Sequence, residues 1–531
     1  METIAIIYVH AHGMRERLQS LDVPDGMELQ LYPVPAHGKN LAAAFQRAMK
    51  QSQARYKIYI SEEIRILCRS ILVDMVAVFQ QHPEIGLLGF SGTKRVLTSG
   101  FTYLSPQRCG IVLDPAGRPL LGEAPLKPYE SVQAVDSYLL ATQQDMDWRR
   151  DILQSSLFLG PSASCEYRRA GYDVSILSEE APACQLLNGS LSADSREQAA
   201  FLDEYSKDLY PLVSIIIPTY QRPEYFRQAL ASATGQTYRN LDIFVTDNSH
   251  NEETKQVYEK YFADDPRVQY EWHPEYQDAM ENWHRANTYD NPEATYVNWL
   301  IDDDLFHPEK IAKMMDMFFQ NSDIVLVTSY RKLMDADGKE LPDTPWSKSP
   351  FQVTTRVSGD EMGRAMLTNM LNIIGEPTTA IIKKSALYHG HLGAPGDLLK
   401  YWISDFPSWL YALSQGDVIY MTEPLSFFRQ HPGQQQNETP IYATGMICWA
   451  TMMWEALLHG CFLHTEEDKR DAIVRWLNIT TENFQRIIAT EPDVWGQLYW
   501  KDFLHVYAAM ATALSNGYQL VFDLGADAVR K

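Results

Sequence analysis

The chain has few cysteines and no long apolar run, and each absence argues against a class of protein. Six cysteines occur in 531 residues, and none belongs to a Cys-x-x-Cys pair, so neither a disulfide framework nor a cysteine-rich zinc site is expected. No stretch of about 18 apolar residues is present, which argues against a membrane-spanning helix. The first residues also lack the basic start and apolar core of a secretory signal. We therefore expect a cytoplasmic protein with reduced thiols.

Positive charge is scarce as well. The chain has 46 Lys and Arg residues against 68 Asp and Glu residues, which gives a net charge of −22. Such an acidic chain is a poor partner for nucleic acid or for an anionic membrane surface, so neither is expected as a ligand. A hydrophobic share of 45% and a charged share of 21% are typical of a folded globular protein.

Strand and helix patterns alternate along the chain in two series. The first series begins with the apolar run at residues 3–9, and the second begins with Leu212–Pro218. Alternating strands and helices favour α/β domains with mostly parallel sheets. Because the two series have a similar rhythm, we predict a duplication at the scale of a domain.

The pattern also predicts where the domains end. The polar segment 189–209 is typical of a linker, and beyond residue 436 only helical patterns occur. A chain of this length exceeds a single core, so we expect two or three domains. The predicted fold class is α/β, with two Rossmann-like domains in tandem at residues 1–205 and 206–436 and an α-helical region at 437–531.

The most informative stretch is an apolar strand that ends in three carboxylates. Residues 296–301 are largely apolar, and Asp302, Asp303 and Asp304 follow them directly; we call these three residues the acidic triplet. Like charges at a strand end repel one another and are costly to desolvate. A hard divalent ion such as Mg²⁺ or Mn²⁺ would remove that cost. The alternative at this point is a solvated exit from the strand.

Three motifs in order resemble those of the family 2 glycosyltransferases of GT-A fold. They are Val213–Pro223, Phe244–Ser249 and the acidic triplet, and the likeness continues through Phe428–Gly433. The resemblance covers roughly residues 210–435. The motifs follow predicted strands, and open α/β sheets bind their ligands at the carboxyl ends of strands. The resemblance implies an enzyme that uses a nucleotide-sugar donor, most simply a UDP-sugar, together with Mn²⁺ or Mg²⁺.

The resemblance also implies roles for individual residues. Arg222 is expected to pair with the diphosphate, and Asp247 to accept the imino N–H of uracil, although an Asx-turn is an alternative for Asp247. The metal ligands implied are Asp304, Asp302 and His431. The donor-binding residues implied are Pro218, Thr219, Tyr220, Arg222, Asp247, Ser249, Asp302 and Asp303.

The reaction also needs a base for the acceptor hydroxyl. Residues 402–409 resemble the acidic block that supplies this base in the family, with Asp405 in the position of the base and Ser404 where relatives have another acid. The alternative is that Asp405 only caps the helix that follows. Glu376, in the segment Ile374–Pro377, is predicted to lie on the acceptor side.

The N-terminal half resembles a StrF-like branch of family 2 over about residues 1–190. The likeness lies in residues 54–60, 83–92, 135–142 and 168–174. The acidic motifs are altered, because Ser61-Glu62-Glu63 replaces the triplet and Leu159–Ser162 replaces a second acidic block. We therefore predict a degenerate, non-catalytic domain for docking, acceptor binding or dimerisation, the last of which would make the protein a homo-oligomer.

The resulting hypothesis is an inverting, metal-dependent, non-processive glycosyltransferase. Its acceptor would be a hydroxyl of a glycan, a lipid-linked saccharide or a protein. The alternatives are a bifunctional transferase and a nucleotide-sugar or glycan-binding protein without transfer activity. A nucleotidyltransferase would need a glycine-rich basic loop after its first strand, and neither half has one. A processive synthase is disfavoured because Val474-Arg475-Trp476 lacks the glutamine of the Gln-x-x-Arg-Trp motif.

Overall fold

The chain folds into two units, Met1–Tyr210 and Pro211–Lys531. The computed structural model describes residues 2–35, 40–61, 64–119, 128–178, 182, 184–187, 194–276, 279–344, 347–390, 405–432, 439–490 and 498–518. Glu62, Glu63 and Ser404, which entered the sequence analysis, lie outside these described residues.

The first unit is a mixture of short and long strands with five helices in its described part. Its strands are β1 (Glu2–Val9), β2 (Met27–Val34), β3 (Tyr56–Ile60), β4 (Ile64–Ile66), β5 (Ile85–Gly89), β6 (Gly92–Thr93), β7 (Arg108–Cys109), β8 (Val112–Leu113), β9 (Tyr129–Ser131), β10 (Ala134–Val135), β11 (Leu139–Thr142), β12 (Asp173–Leu177) and β13 (Cys184–Leu186). Its helices are α1 (Met14–Gln19), α2 (Leu41–Gln51), α3 (Ile71–Gln81), α4 (Leu159–Arg169) and α5 (Ser195–Leu209).

The second unit has a larger sheet and ends in long helices. Its strands are β14 (Leu212–Thr219), β15 (Leu241–Asp247), β16 (Val268–Trp272), β17 (Ala294–Trp299), β18 (Leu305–Phe306), β19 (Leu326–Met334), β20 (Glu340–Leu341), β21 (Thr355–Val357), β22 (Ile381–Lys383) and β23 (Val418–Arg429). Its helices are α6 (Pro223–Thr234), α7 (Glu253–Tyr261), α8 (Ala279–Asn287), α9 (Lys310–Gln320), α10 (Gly359–Asn369), α11 (Asp405–Leu413), α12 (Thr439–His459), α13 (Glu466–Thr490) and α14 (Leu498–Ser515).

The two main sheets share one topology. Six strands of the first unit run in the order β2-β1-β3-β11-β5-β12, and six of the second run β15-β14-β17-β22-β19-β23. In both sheets the fourth strand is antiparallel to its two neighbours, while the other neighbouring pairs are parallel. The predicted α/β fold with two similar domains in tandem is therefore confirmed.

The central strands are buried along their whole length, as expected for a sheet covered on both faces. All residues of β3 and β5 are buried, and so is every residue of β15. Helices with one apolar stripe cover these sheets; α2 and α9 each bury such a stripe while exposing polar residues elsewhere.

The segment that sequence composition marks as a linker belongs to the first unit. Residues 195–209 form α5, whose first turn is capped by the Asp194 side chain accepting from the Arg196 N–H. Phe201 and Tyr205 of α5 are fully buried, and the Tyr205 hydroxyl donates to Glu166 of α4 at 2.7 Å. Within α5, polar residues such as Arg196, Asp203 and Lys207 are exposed while Phe201, Tyr205 and Leu209 are buried, so the described part of the segment is an amphipathic helix.

The C-terminal helices share a hydrophobic core with the sheet of the second unit. Met453 of α12, Trp476 of α13 and Trp500 of α14 belong to the same buried cluster as Leu326 of β19 and Trp409 of α11. Across the part of the chain that the structure describes, none of the helices has the length and hydropathy that a membrane crossing requires.

Candidate active site

The predicted donor-binding residues gather at one edge of the second sheet. Strands β14, β15 and β17 are parallel neighbours, so their carboxyl ends lie side by side. Thr219 ends β14, Asp247 ends β15, and the acidic triplet begins three residues after β17. Pro218 is buried within β14, and Tyr220, one residue beyond that strand, is 41% exposed.

Asp302 is held by the loop that leaves β14. Its Oδ2 accepts a hydrogen bond from the Thr219 hydroxyl at 2.9 Å and one from the Tyr220 N–H at 3.4 Å. Its Oδ1 accepts from Arg222 Nη1 at 3.2 Å. Gln221 adopts a left-handed conformation with φ 47°, a conformation that is uncommon for a residue other than glycine.

Asp303 is paired with two basic side chains. Its Oδ2 accepts from Arg222 Nη1 at 3.1 Å and lies 3.0 Å from His431 Nε2. Arg222 therefore bridges Asp302 and Asp303 at the mouth of the site. The resemblance implied that His431 is a metal ligand together with Asp302 and Asp304, whereas in the structure its ring contacts the carboxylate of Asp303.

Asp304 faces the interior of the second unit. Its Oδ2 accepts from the Thr378 hydroxyl at 2.6 Å, and its Oδ1 accepts from the Arg429 N–H at 3.0 Å. The buried Arg429 side chain also donates through Nε to the Asp303 carbonyl oxygen at 2.7 Å. The turn of the acidic triplet is thus fixed by β23 and by the segment before β22.

Burial and mutual repulsion make the acidic triplet hard to ionise fully. The exposed fractions of Asp302, Asp303 and Asp304 are 4%, 5% and 1%. Burial, and next the charge of Asp303, raise the pKa of Asp302 to about 6, although Arg222 opposes this effect. The same two causes raise the pKa of Asp304 well above its ordinary value. Full ionisation of the triplet would therefore leave an excess of buried negative charge.

That excess suits a divalent cation. Three carboxylates are offset by Arg222 and, when it is protonated, by His431, and carboxylate oxygens are the ligands that Mg²⁺ and Mn²⁺ prefer. Within the described ranges, no three His, Cys, Asp or Glu side chains form a preformed metal cage. An ion bound through one or two carboxylates and completed by substrate phosphates would need no such cage.

Asp247 sits fully buried at the end of β15. Its Oδ1 accepts from the Ser249 N–H at 2.7 Å, and its Oδ2 accepts from the Tyr270 hydroxyl at 2.5 Å. The first contact is the Asx-turn considered from the sequence. Burial raises the pKa of Asp247. Ser249 in turn accepts, through its hydroxyl oxygen, the Gln221 N–H at 2.7 Å, which joins the loops after β14 and β15.

Two further carboxylates, Glu376 and Asp405, lie near the triplet. Asp405 is the first residue of α11, and Glu376 precedes a short 3-10 helix at Pro377–Thr379. The charge of Glu376 raises the pKa of both Asp304 and Asp405, so Glu376 lies within electrostatic range of both carboxylates. The structure thus brings together the predicted metal end and the predicted base of the site.

Glu376 and Asp405 differ in their partners. The Arg331 guanidinium pairs with Glu376, with Nη2 3.0 Å from Oε1, and compensates its charge. The side chain that donates to Asp405 is the neutral amide of Asn372, with Nδ2 3.3 Å from Oδ2. Burial, and to a lesser extent Glu376, raise the pKa of Asp405 to about 6. Asp405 is therefore the carboxylate better suited to take a proton near neutral pH.

The first unit has a different arrangement before its antiparallel strand β11. The buried carboxylate there is Asp136, which accepts hydrogen bonds from Ser91, Thr102 and, twice, Arg108. Each of its oxygens receives two of these bonds, which fills the usual acceptor capacity of a carboxylate. Asp136 therefore acts as a structural node.

Several residues of the site could not be singled out from the sequence. Thr378, Asn372 and Arg331 contact Asp304, Asp405 and Glu376, but each is a common residue type without a distinctive spacing. Arg429 lies in the segment Phe428–Gly433 that carries the resemblance, but the resemblance implies a role only for His431 in that segment. Tyr270 lies within the short strand β16, where nothing marks it as a partner of Asp247.

Family comparisons agree with the predicted resemblance. Residues 8–205 match the family model described as "Glycosyltransferase like family", and residues 214–387 match "Glycosyl transferase family 2". An uncharacterized glycosyltransferase of Rickettsia typhi is 27% identical over 233 residues, which are 43% of this chain and 66% of that protein. This chain therefore spans just under two thirds of that relative.

The names of two other similar proteins state a substrate or a ligand. The Campylobacter jejuni GalNAc(5)-diNAcBac-PP-undecaprenol beta-1,3-glucosyltransferase is 31% identical over 94 residues, which are 18% of this chain and 30% of that enzyme. The crystal structure of Staphylococcus aureus TarS 1–349 in complex with UDP-GlcNAc has a TM-score of 0.40 and 14% identity, covering 58% of this chain and 84% of that one.

Proposed function

Because the chain carries two glycosyltransferase family 2-type domains, we propose that it transfers a sugar from a nucleotide-sugar to an acceptor hydroxyl with inversion at the anomeric carbon. The single observation that best supports this proposal is the buried acidic triplet bridged by Arg222 at the strand edge of the second unit. A single displacement by the acceptor hydroxyl inverts the anomeric carbon, and Asp405 is the base assigned to that hydroxyl.

We assign the donor end of the site to UDP. Asp247, with its Oδ1 on the Ser249 N–H, lies beside the loop of Tyr220 and is assigned to the uracil imino group. Arg222 is assigned to the diphosphate, since it bridges the two acids at the mouth of the site. A divalent ion would be held by Asp304 and Asp302, with His431 at its edge, and it would stabilise negative charge on the leaving diphosphate.

Glu376 and Asp405 are given separate roles on the acceptor side. The charge of Glu376 is compensated by Arg331, which suits an acceptor of hydrogen bonds from sugar hydroxyls. Among the described residues, the side chain that donates to Asp405 is the neutral amide of Asn372, which suits a base. The acceptor class stays a glycan, a lipid-linked saccharide or a protein; the Campylobacter relative acts on an undecaprenol-linked glycan by its name.

Hydrolysis of UDP-sugars with and without Mn²⁺ tests the proposed activity. We expect slow release of UDP from at least one member of a panel of UDP-sugars, because water replaces the acceptor, and we expect EDTA to abolish it. The control is the Asp304→Asn variant, which should release no UDP. Metal-independent release, or release by the variant at the rate of the parent, would contradict the proposal.

A second expectation concerns the number of donor sites. Because Asp136 is saturated by protein donors and the triplet is absent from the first half, we propose that the first unit does not bind donor. Isothermal titration of UDP with Mn²⁺ should give one site per chain. Two sites, falling to one in Glu63→Ala, would indicate a bifunctional transferase.

A further inference from the structure

Asn372 occupies a bend between α10 and the 3-10 helix at Pro377–Thr379, and it faces Asp405. Its Nδ2 donates to Asp405 Oδ2 at 3.3 Å and to the Gly375 carbonyl oxygen at 3.0 Å. Its Oδ1 accepts from the Gly375 N–H at 3.0 Å. The three contacts use both ends of the amide, so a single side chain joins the bend to the start of α11.

These contacts fix which end of the amide faces Asp405. A flipped amide would set Oδ1 against the Gly375 carbonyl and the Asp405 carboxylate, which are both acceptors, and Nδ2 against the Gly375 N–H, which is a donor. Asn372 must therefore present its N–H to Asp405. A donor in this place favours the ionised form of a carboxylate.

The bend itself is held in place from α11. Trp409 Nε1 donates to the Gly375 carbonyl oxygen at 2.9 Å, and Trp409 lies one turn after Asp405, on the same side of the helix. Gly375 has φ +98°, and a Cβ there would lie 2.8 Å from Thr379 Oγ1, so this position requires glycine. The distance from Asn372 to Asp405 is thus set by a rigid frame.

Other groups also act on the ionisation of Asp405. The backbone N–H of Phe406 favours the ionised form, the charge of Glu376 opposes it, and the backbone N–H of Asp405 favours it. The thiol of Cys448 on α12 is neutral, because burial and the charge of Asp405 raise its pKa. Among the described residues, Asn372 is the side chain that donates a hydrogen bond to Asp405.

We infer that Asn372 is a positioning residue for the proposed base: it orients the Asp405 carboxylate and holds it ionised at the pH of transfer. This inference rests on the proposed function. In this inference Oδ2 of Asp405 accepts the amide N–H of Asn372. The acidic limb of the pH–rate profile then depends on Asn372, a residue that does not contact the substrate.

The decisive variant is Asn372→Asp. It keeps the shape of the side chain and an oxygen for the Gly375 N–H, but it replaces the donor that faces Asp405 with a second carboxylate. Two carboxylates that share a site raise the pKa of one of them strongly. We expect the acidic limb of kcat to move up by about one pH unit or more, with KM for UDP-sugar unchanged. Asn369→Asp, the same change on the exposed end of α10, is the matched control and should leave the profile in place.

A second variant provides a readout that needs no activity. Asn372→Ala removes the donor, so it should destabilise the protein more at pH 8 than at pH 5 in thermal unfolding, because Asp405 is ionised only at the higher pH. This pH dependence should vanish in an Asp405→Asn background.

Equal destabilisation at both pH values, or a kcat that falls in Asn372→Asp without any shift of the acidic limb, would overturn the inference. A parent protein without transfer or hydrolysis would instead contradict the proposed function, while the unfolding measurement would still test Asn372.

Discussion

Asp405→Asn is expected to lower turnover by about 10²–10⁴-fold, the usual contribution of a general base, while KM for the donor stays unchanged. The amide cannot take the acceptor proton, but it is nearly the same size as the carboxylate and Asn is a good residue at a helix start. The measurement is steady-state transfer with the best UDP-sugar from the hydrolysis panel. For the parent, kcat should rise with pH and level off above about 6, because only ionised Asp405 accepts a proton.

The same variant should be more stable than the parent at pH 8. The pKa of Asp405 is about 6 in the folded protein, above its ordinary value of 3.8, so folding becomes less favourable as pH rises through this window and stays so above it. Removing the charge should therefore stabilise the fold by up to about 2 kcal/mol after allowance for partial exposure, with little effect at pH 4. Asp471→Asn, at an exposed position of α13, serves as the control. Normal turnover in Asp405→Asn would leave Asp405 as a helix cap only.

Asp304→Ala is expected to abolish transfer and most of the Mn²⁺-dependent binding of UDP, with a loss of at least about 10³ in turnover, as when a principal stabiliser of developing charge is removed. The carboxylate is assigned to the metal, so its loss removes the ligand and the charge together. Titration calorimetry of UDP with and without Mn²⁺ measures the binding. The fold should survive, because deletion of a buried anion also removes an electrostatic cost.

Asp304→Asn separates the charge from the hydrogen bonds. Its amide oxygen can still accept from the Arg429 N–H, and its Nδ2 can donate to the Thr378 hydroxyl oxygen, so the turn of the triplet should be kept while the negative charge is lost. We expect the same loss of transfer as in the alanine variant. Asp337→Asn, on an exposed turn, is the control. Near-normal turnover of Asp304→Asn in Mn²⁺ would refute the metal assignment and leave Asp304 as an anchor for Thr378.

The location of the candidate site could be predicted because it follows from local patterns. An apolar strand followed directly by three acids can be recognised within about ten residues of sequence. Parallel strands then bring their carboxyl ends to one edge of the sheet. The order of the motifs then supplied the resemblance to family 2 glycosyltransferases, and residues 214–387 match that family model. The partner of each acid was not predictable: His431 contacts Asp303, and Asp304 contacts Thr378, which lies 74 residues further along the chain.

The role of the C-terminal helices likewise could not be predicted from the sequence. The residues after 436 are rich in Met, Trp and Leu, which favours packing in a core, yet the pattern does not indicate which surface these helices cover. In the structure the Phe406 ring of α11 packs on Trp449 of α12 at 3.9 Å between centroids, and the charge of Asp405 helps to raise the pKa of the buried Cys448 thiol. Helix α12, which the sequence assigned to a separate region, thus packs against the helix that carries the proposed base.

The sequence by itself determined the two α/β series and the acidic strand end, since each depends on residue type and on spacing within one element. The role of Asp405 as the base is implied by the family resemblance and stays a prediction. Only the tertiary structure decided that Glu376 is neutralised by Arg331 while Asp405 is left with the amide of Asn372. The physical reason is that the pKa of a carboxylate depends on burial and on neighbouring charges. Those neighbours are chosen by the packing of strands and helices that lie tens of residues apart in the chain.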